Sequence, residues 1–306
     1  MSAALLIEQM LNGLQLGVML FLMAAGLTLA FGVMGLINLA HGSLYMTGAF
    51  VCAWVANATG SFWTGLALGL LAAAAAGAII EILVMRRLYD RDHLDQVLAT
   101  FSLILIFAEG AHWLFGSRPL YLTIPALLDG AIALPGGGGY PIYRLAVIGV
   151  GLVVAVGLYL LISRTRLGMR IRAGESDREM IGALGVNIRT LYTFVFALGA
   201  MLAGLAGALV GASRSVQVGM GEPVLILAFV VIVIGGIGSI KGALVASVLV
   251  GLVDTLGRAF APSLFELMLP TQAAATVGAS VASILIYLLM AVVLAFRPKG
   301  LFPAHG

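Results

Sequence analysis

The sequence predicts an all-α fold, a polytopic bundle of transmembrane helices, and three observations carry that prediction. Of 306 residues, 62% are hydrophobic and only 9% are charged, whereas a soluble domain carries about a quarter charged residues. Apolar windows near 8–31, 37–57, 62–86, 96–116, 143–163, 190–212 and 276–296 each have the roughly 20 residues needed to cross a bilayer core. The charges gather between these windows, most densely over Arg164–Leu191. One transmembrane domain, 1–306, is expected.

The elements follow in order. No Lys or Arg precedes Arg86, so the first window lacks the basic start of a secretory signal and reads as a retained span. The third window carries Gly65, Gly69, Ala73 and Gly77, and the sixth Gly199, Ala203, Gly207 and Gly211. Small residues spaced by four let helix backbones approach closely in lipid. The stretch 223–260 reads either as two short spans broken near Ser239-Ile240-Lys241-Gly242 or as one span with a re-entrant piece, giving nine or eight crossings.

With nine crossings, twelve basic residues including Arg86, Arg164, Arg178 and Arg297 fall on one side, and Arg118, Arg144, Arg214 and Arg258 on the other. The Lys/Arg bias assigns the first group to the cytoplasm. The N-terminus is then periplasmic and the C-terminus cytoplasmic. The loop 116–143, with its run Gly136-Gly137-Gly138-Gly139, is periplasmic, and 164–190 is cytoplasmic.

Several chemistries are excluded. A formal charge of +3 with scattered carriers gives no nucleic-acid surface. Cys52 is the single cysteine, and no donors sit at metal-ligand spacing from His41. Lys241 and Lys299, the two lysines, lie outside any G-x-x-x-x-G-K-[ST] frame, so no nucleotide-cradling loop is present. No catalytic residue and no resident cofactor is expected. Within the windows, Glu81 lies near arginines, Glu109 near His112, and Asp254 four residues from Arg258. None of these is a lone deep carboxylate, which weakens the alternative of an ion-coupled secondary transporter.

Two places remain as candidates. Gly35–Gly42 and Gly235–Gly242 each interrupt an apolar run with glycines and polar groups. Such paired breaks mark a translocation path in many transporters, or else they are turns at the cytoplasmic face. Asn38, His41, Gly42, Gly236, Gly238 and Ser239 are the path or gate candidates, with Asn38 a cap for the helix that follows. In the second place, Ser176-Asp177-Arg178-Glu179 has capping-box spacing, Met180, Ile181, Ala183 and Leu184 form an apolar stripe, and Gly185 suits a helix end. A short amphipathic helix over 176–185 is expected.

Glu179–Gly185 also fits the E-x-x-x-x-x-G frame by which permeases of ATP-binding-cassette importers contact their ATPases, with Met180 and Ile181 in place of two alanines. GLTLAFGVMGLINLAHGSLYMTGAF (Gly26–Phe50), VIVIGGIGSIKGALVASVLVG (Val231–Gly251) and RPKGLF (Arg297–Phe302) resemble the branched-chain amino acid importer permeases over nearly the whole chain. The resemblance implies a subunit of the bacterial inner membrane, surrounded by lipid. Its implied partners are two ATPase subunits that hold ATP and magnesium, a second homologous permease and a periplasmic solute-binding protein. It carries Glu179 and Gly185 over as ATPase-coupling residues; Ser176, Asp177, Arg178 and Asn187 are flanking polar candidates. Branched-chain amino acids are the implied cargo, with urea, amides and aromatic acids as alternatives within related permeases.

Overall fold

The computed structural model describes residues 3–135 and 138–303; the side chains of Arg178 and Glu179 also lie outside the described residues. Eleven α-helices are described: α1 (Ala3–Met34), α2 (His41–Thr59), α3 (Phe62–Leu83), α4 (His93–Phe115), α5 (Ile142–Arg164), α6 (Arg166–Ser176), α7 (Arg178–Ala183), α8 (Ile188–Gly211), α9 (Gly221–Gly235), α10 (Ile240–Phe265) and α11 (Thr271–Phe296). Seven of them, α1, α3, α4, α5, α8, α10 and α11, are long and apolar enough to cross a membrane. This is a multi-pass membrane protein. The remaining two apolar segments of the sequence become α2, 19 residues with polar groups along it, and α9, 15 residues. At 1.5 Å per residue α9 spans about 22 Å, short of the roughly 30 Å hydrocarbon core.

The all-α expectation needs one addition. The loop between α4 and α5 holds a two-stranded antiparallel hairpin, β1 (Ala131–Ala133) and β2 (Gly139–Pro141), with Ile132 opposite Tyr140. Of the glycine run, Gly136 and Gly137 lie outside the described residues. Tyr140 is buried, and its hydroxyl donates to Asn12 Oδ1 at 3.2 Å beside the Arg144 guanidinium at 2.6 Å. A tyrosine that buries its ring and still finds a hydrogen-bond partner is what anchors the hairpin. Burial raises the Tyr140 phenol above its ordinary range, and Arg144 partly offsets this.

The chain forms two compact units. One comprises Leu22–Pro125 and Val153–Ala228, the other Met1–Phe21, Ala126–Leu152 and Phe229–Gly306. The first unit is organised by the small-residue faces of α2, α3 and α8. A β-carbon on Gly65 or Gly69 would strike the α2 backbone at Cys52 or Gly48, and one on Gly77 would strike Ala200. Gly207 of the α8 stripe lies against the Tyr45 carbonyl, and Gly204, outside the every-fourth stripe, fits between Gly48 on one side and Ala73 on the other. Contacts this close are how lipid-embedded helices gain dispersion energy without a hydrophobic driving force. In the second unit Gly13 and Gly17 of α1 lie against α10, and Gly278 of α11 lies against Pro262.

Candidate functional site

The charged segment folds into two helices, not one. Thr165 accepts the Gly168 amide at 3.0 Å and starts α6, whose Gly168, Ile171 and Gly174 are buried while Met169 and Arg170 face outward. The expected cap on α7 also shifts by one residue. Asp177 is extended (φ −153°, ψ 101°) and accepts the Met180 amide at 2.9 Å, while Ser176 ends α6. A carboxylate at this position satisfies an orphan amide and faces the positive helix end. Gly185, at φ +85°, turns the chain where a β-carbon would strain it. Asn187 Oδ1 then accepts the Thr190 amide at 3.1 Å and starts α8.

Between these caps α7 buries Ile181 and exposes Met180 and Leu184, at 60% and 76%. Arg166, Met169, Arg170, Ala173 and Ile181 line a shallow depression of about 280 Å³ between α6 and α7. The surface is apolar with a basic rim. Of the coupling candidates, Ser176, Asp177, Gly185 and Asn187 thus lie in one continuous stretch, two of them as helix caps. The roles of Arg178 and Glu179 fall on side chains outside the described residues.

The first broken segment, Gly35–Ala40, runs without helix from α1 to α2. Asn38 Oδ1 accepts the Ala40 amide at 3.0 Å, so the asparagine shapes the turn and α2 begins at His41. Asn38, His41 and Ser43 are each only 1% exposed. Among the described residues, Asn38 Nδ2, His41 Nε2 and Ser43 Oγ make no hydrogen bond. His41 Nε2 lies beside Gly26, whose backbone abuts Gly199. Gly199 is eleven residues into α8, about 16 Å along its axis. The start of α2 therefore sits about halfway along a membrane-length helix. Gly42 meets the backbone of Gly221 at the start of α9 so closely that neither has room for a side chain.

The second broken segment has a different character. Ser239 Oγ accepts the Gly242 amide at 3.1 Å and starts α10. Gly236 and Gly238 take positive φ, +104° and +83°. Over this turn lies the carboxy-terminal RPKGLF segment: the Leu301 and Phe302 amides donate to the Ile234 and Gly235 carbonyls, both at 2.9 Å. Chain that follows the last helix thus completes the last turn of α9. The two candidate groups, Asn38–Gly42 and Gly236–Ser239, belong to different units.

Two of the carboxylates within the spans form ion pairs. Arg258 Nε donates to Asp254 Oδ1 at 2.8 Å. Glu81, fully buried, accepts from Arg86, as its sequence position predicts, and also from Tyr89 and Thr193. Sequence reasoning missed Thr193 because it is 112 positions away, and Tyr89 because it lies beyond the end of α3.

With this geometry in place, comparison with known proteins is specific. The family described as "Branched-chain amino acid transport system / permease component" matches residues 9–294. The high-affinity branched-chain amino acid transport system permease protein BraD of Pseudomonas aeruginosa is 30% identical over 310 residues, covering 96% of this chain and 95% of that protein. The corresponding permease LivH of Escherichia coli is 29% identical over 270 residues, 83% of this chain and 86% of its own. A solved metal-chelate type ABC transporter in an inward-facing conformation gives a TM-score of 0.48 at 20% identity, over 94% of this chain and 85% of that one.

Proposed function

Because this chain belongs to the permease family of branched-chain amino acid transport systems, we propose that it is the membrane-spanning subunit of an ATP-driven, binding-protein-dependent importer. Its cargo is a branched-chain or other small apolar amino acid, and its place is the bacterial inner membrane. The observation that carries the reading is the α6–α7 surface. Leu184 and Met180 stand out from a basic segment between two spans, where isolation would leave apolar area in water. An ATPase groove that buries this pair removes that penalty. Ser176, Asp177, Arg178, Glu179, Gly185 and Asn187 form the coupling stretch.

The remaining parts follow from the same reading. Two ATPase subunits hold ATP and magnesium on the cytoplasmic side, where α7 and the C-terminus lie. A second homologous permease completes the passage, and a periplasmic binding protein delivers cargo at the face where the N-terminus lies. Asn38, His41 and Gly42 line the passage, because hydrogen-bonding groups left unmade at mid-depth suit a zwitterion that must shed water there. Gly236, Gly238 and Ser239 form the turn that closes the other unit on its cytoplasmic side.

The test is gentle extraction of the tagged chain from its native membrane. Recovery of two P-loop ATPases and a second permease supports the importer. Recovery of this chain alone, moving solute in vesicles on an ion gradient, establishes an ion-coupled carrier instead. Within the importer, His41→Ala and Asn38→Ala should each lower uptake about tenfold at unchanged membrane abundance. Wild-type uptake in both would remove these residues from the passage.

A further inference from the structure

The Glu81 cluster offers more than charge neutralisation. Its carboxylate is 0% exposed and sits in the last turn of α3. Arg86 Nε reaches both oxygens, at 3.1 and 3.2 Å. The Tyr89 hydroxyl donates to Oε1 at 2.9 Å, and the Thr193 hydroxyl to Oε2 at 2.5 Å. Arg86 Nη2 closes the ring by donating to Thr193 Oγ1 at 2.7 Å. Every member of this ring holds another, so the network is fully satisfied, and buried networks of that kind are rigid.

The elements joined are the informative part. Thr193 lies one turn into α8, whose cap, Asn187, directly follows the α7 turn. The α7 and α8 helices are tied together as well: the Val186 amide donates to Ile181, and Gly182 abuts Ile188. Gly174 of α6 lies against Leu191. Tyr89 reaches Met34 at the end of α1, 3.7 Å from its sulfur, and its ring meets that of Tyr192 edge-on at 5.2 Å. Burial, and after it the Glu81 charge, push the Tyr89 phenol far above its ordinary range, so it remains a donor at every physiological pH. A displacement of α6–α7 thus meets α3 through one knot of charged hydrogen bonds, and the end of α1 through the Tyr89–Met34 contact, a few residues before the Asn38–Gly42 segment.

We propose that the Glu81–Arg86–Tyr89–Thr193 network is a latch that transmits movement of the α6–α7 segment from α8 into α3 and the end of α1. Thr193 and Tyr89 are its positioning residues for coupling ATP hydrolysis to transport. This rests on the reading of α7 as the ATPase contact. Without the latch α8 yields on its own, and the ATPases turn over while the end of α1 stays still.

The experiment uses the complete transporter, co-purified and reconstituted, with uptake and ATP hydrolysis measured together for leucine, isoleucine and valine. Thr193→Val keeps shape and removes the hydroxyl; Tyr89→Phe does the same from the other side. Each should assemble at wild-type yield and keep ATP hydrolysis within twofold, while solute moved per ATP falls about tenfold. Thr193→Ser should restore the ratio. A ratio unchanged in both Thr193→Val and Tyr89→Phe overturns the latch. Uptake and hydrolysis falling in parallel overturns it too, and leaves the cluster a purely structural role. Failure of the wild-type chain to bring down ATPases is a separate result, which removes the importer reading itself.

Discussion

Leu184→Glu is expected to abolish uptake and release the ATPases, with the chain's own abundance in the membrane unchanged. Leu184 is 76% exposed, so the substitution removes little that holds this chain together. In the proposed docked state the same side chain is buried. Loss of a leucine contact there is worth roughly 1.5–3 kcal/mol, and a carboxylate confined without a partner adds several more. At about 1.4 kcal/mol per tenfold, affinity for the ATPase falls by at least about a hundredfold. The measurement is the ratio of ATPase to permease after affinity purification, alongside uptake in membrane vesicles. Leu184→Ala should give an intermediate ratio. A Leu184→Glu chain that keeps its ATPases and its uptake would place the docking surface elsewhere than α7.

The sequence made the helices legible because their signal is long. Each apolar window has about 20 residues, and the observed helices fall on those windows. The charged segment was harder, since an eleven-residue helix such as α6 shows only Thr165 as a cap and Leu167 and Ile171 as an apolar pair. The α7 cap was misplaced because Ser176 and Asp177 are both good cap residues; the choice fell to Asp177 once α6 had used Ser176. Long-range contacts left no local trace. Nothing near Thr193 announces Glu81, and nothing near Gly235 announces the Phe302 amide. The hairpin at Ala131–Pro141 was hidden for a related reason, because strands of three residues are too short to show alternation. Glycine stripes, by contrast, gave the right faces of α3 and α8, including Gly207 against Tyr45, but not the close contact of Gly204 with Gly48, since crossing helices meet where their axes cross and not at a fixed repeat.

Gly236→Val decides between the two readings of the second broken segment, a turn or the lining of a passage. At φ +104° a β-branched residue is strained by about 1–3 kcal/mol. Its β-carbon would also come within 2.8 Å of the Phe302 carbonyl oxygen and 3.1 Å of that of Lys299, so the carboxy-terminal segment must move. That movement strips the Leu301 and Phe302 amides from Ile234 and Gly235, both buried. Each buried carbonyl left without a donor costs about 1–3 kcal/mol. The sum, about 3–9 kcal/mol, is a large share of the 5–15 kcal/mol typical of a folded protein. The expected result is more than tenfold less Gly236→Val protein in the membrane, with uptake falling in proportion. Truncation after Phe296 should lower abundance in the same way, because it removes the same two donors without touching the turn. If Gly236 instead lines the passage, Gly236→Val blocks uptake at normal abundance and the truncation leaves abundance intact. Normalising uptake to the amount of chain in the membrane separates the two outcomes.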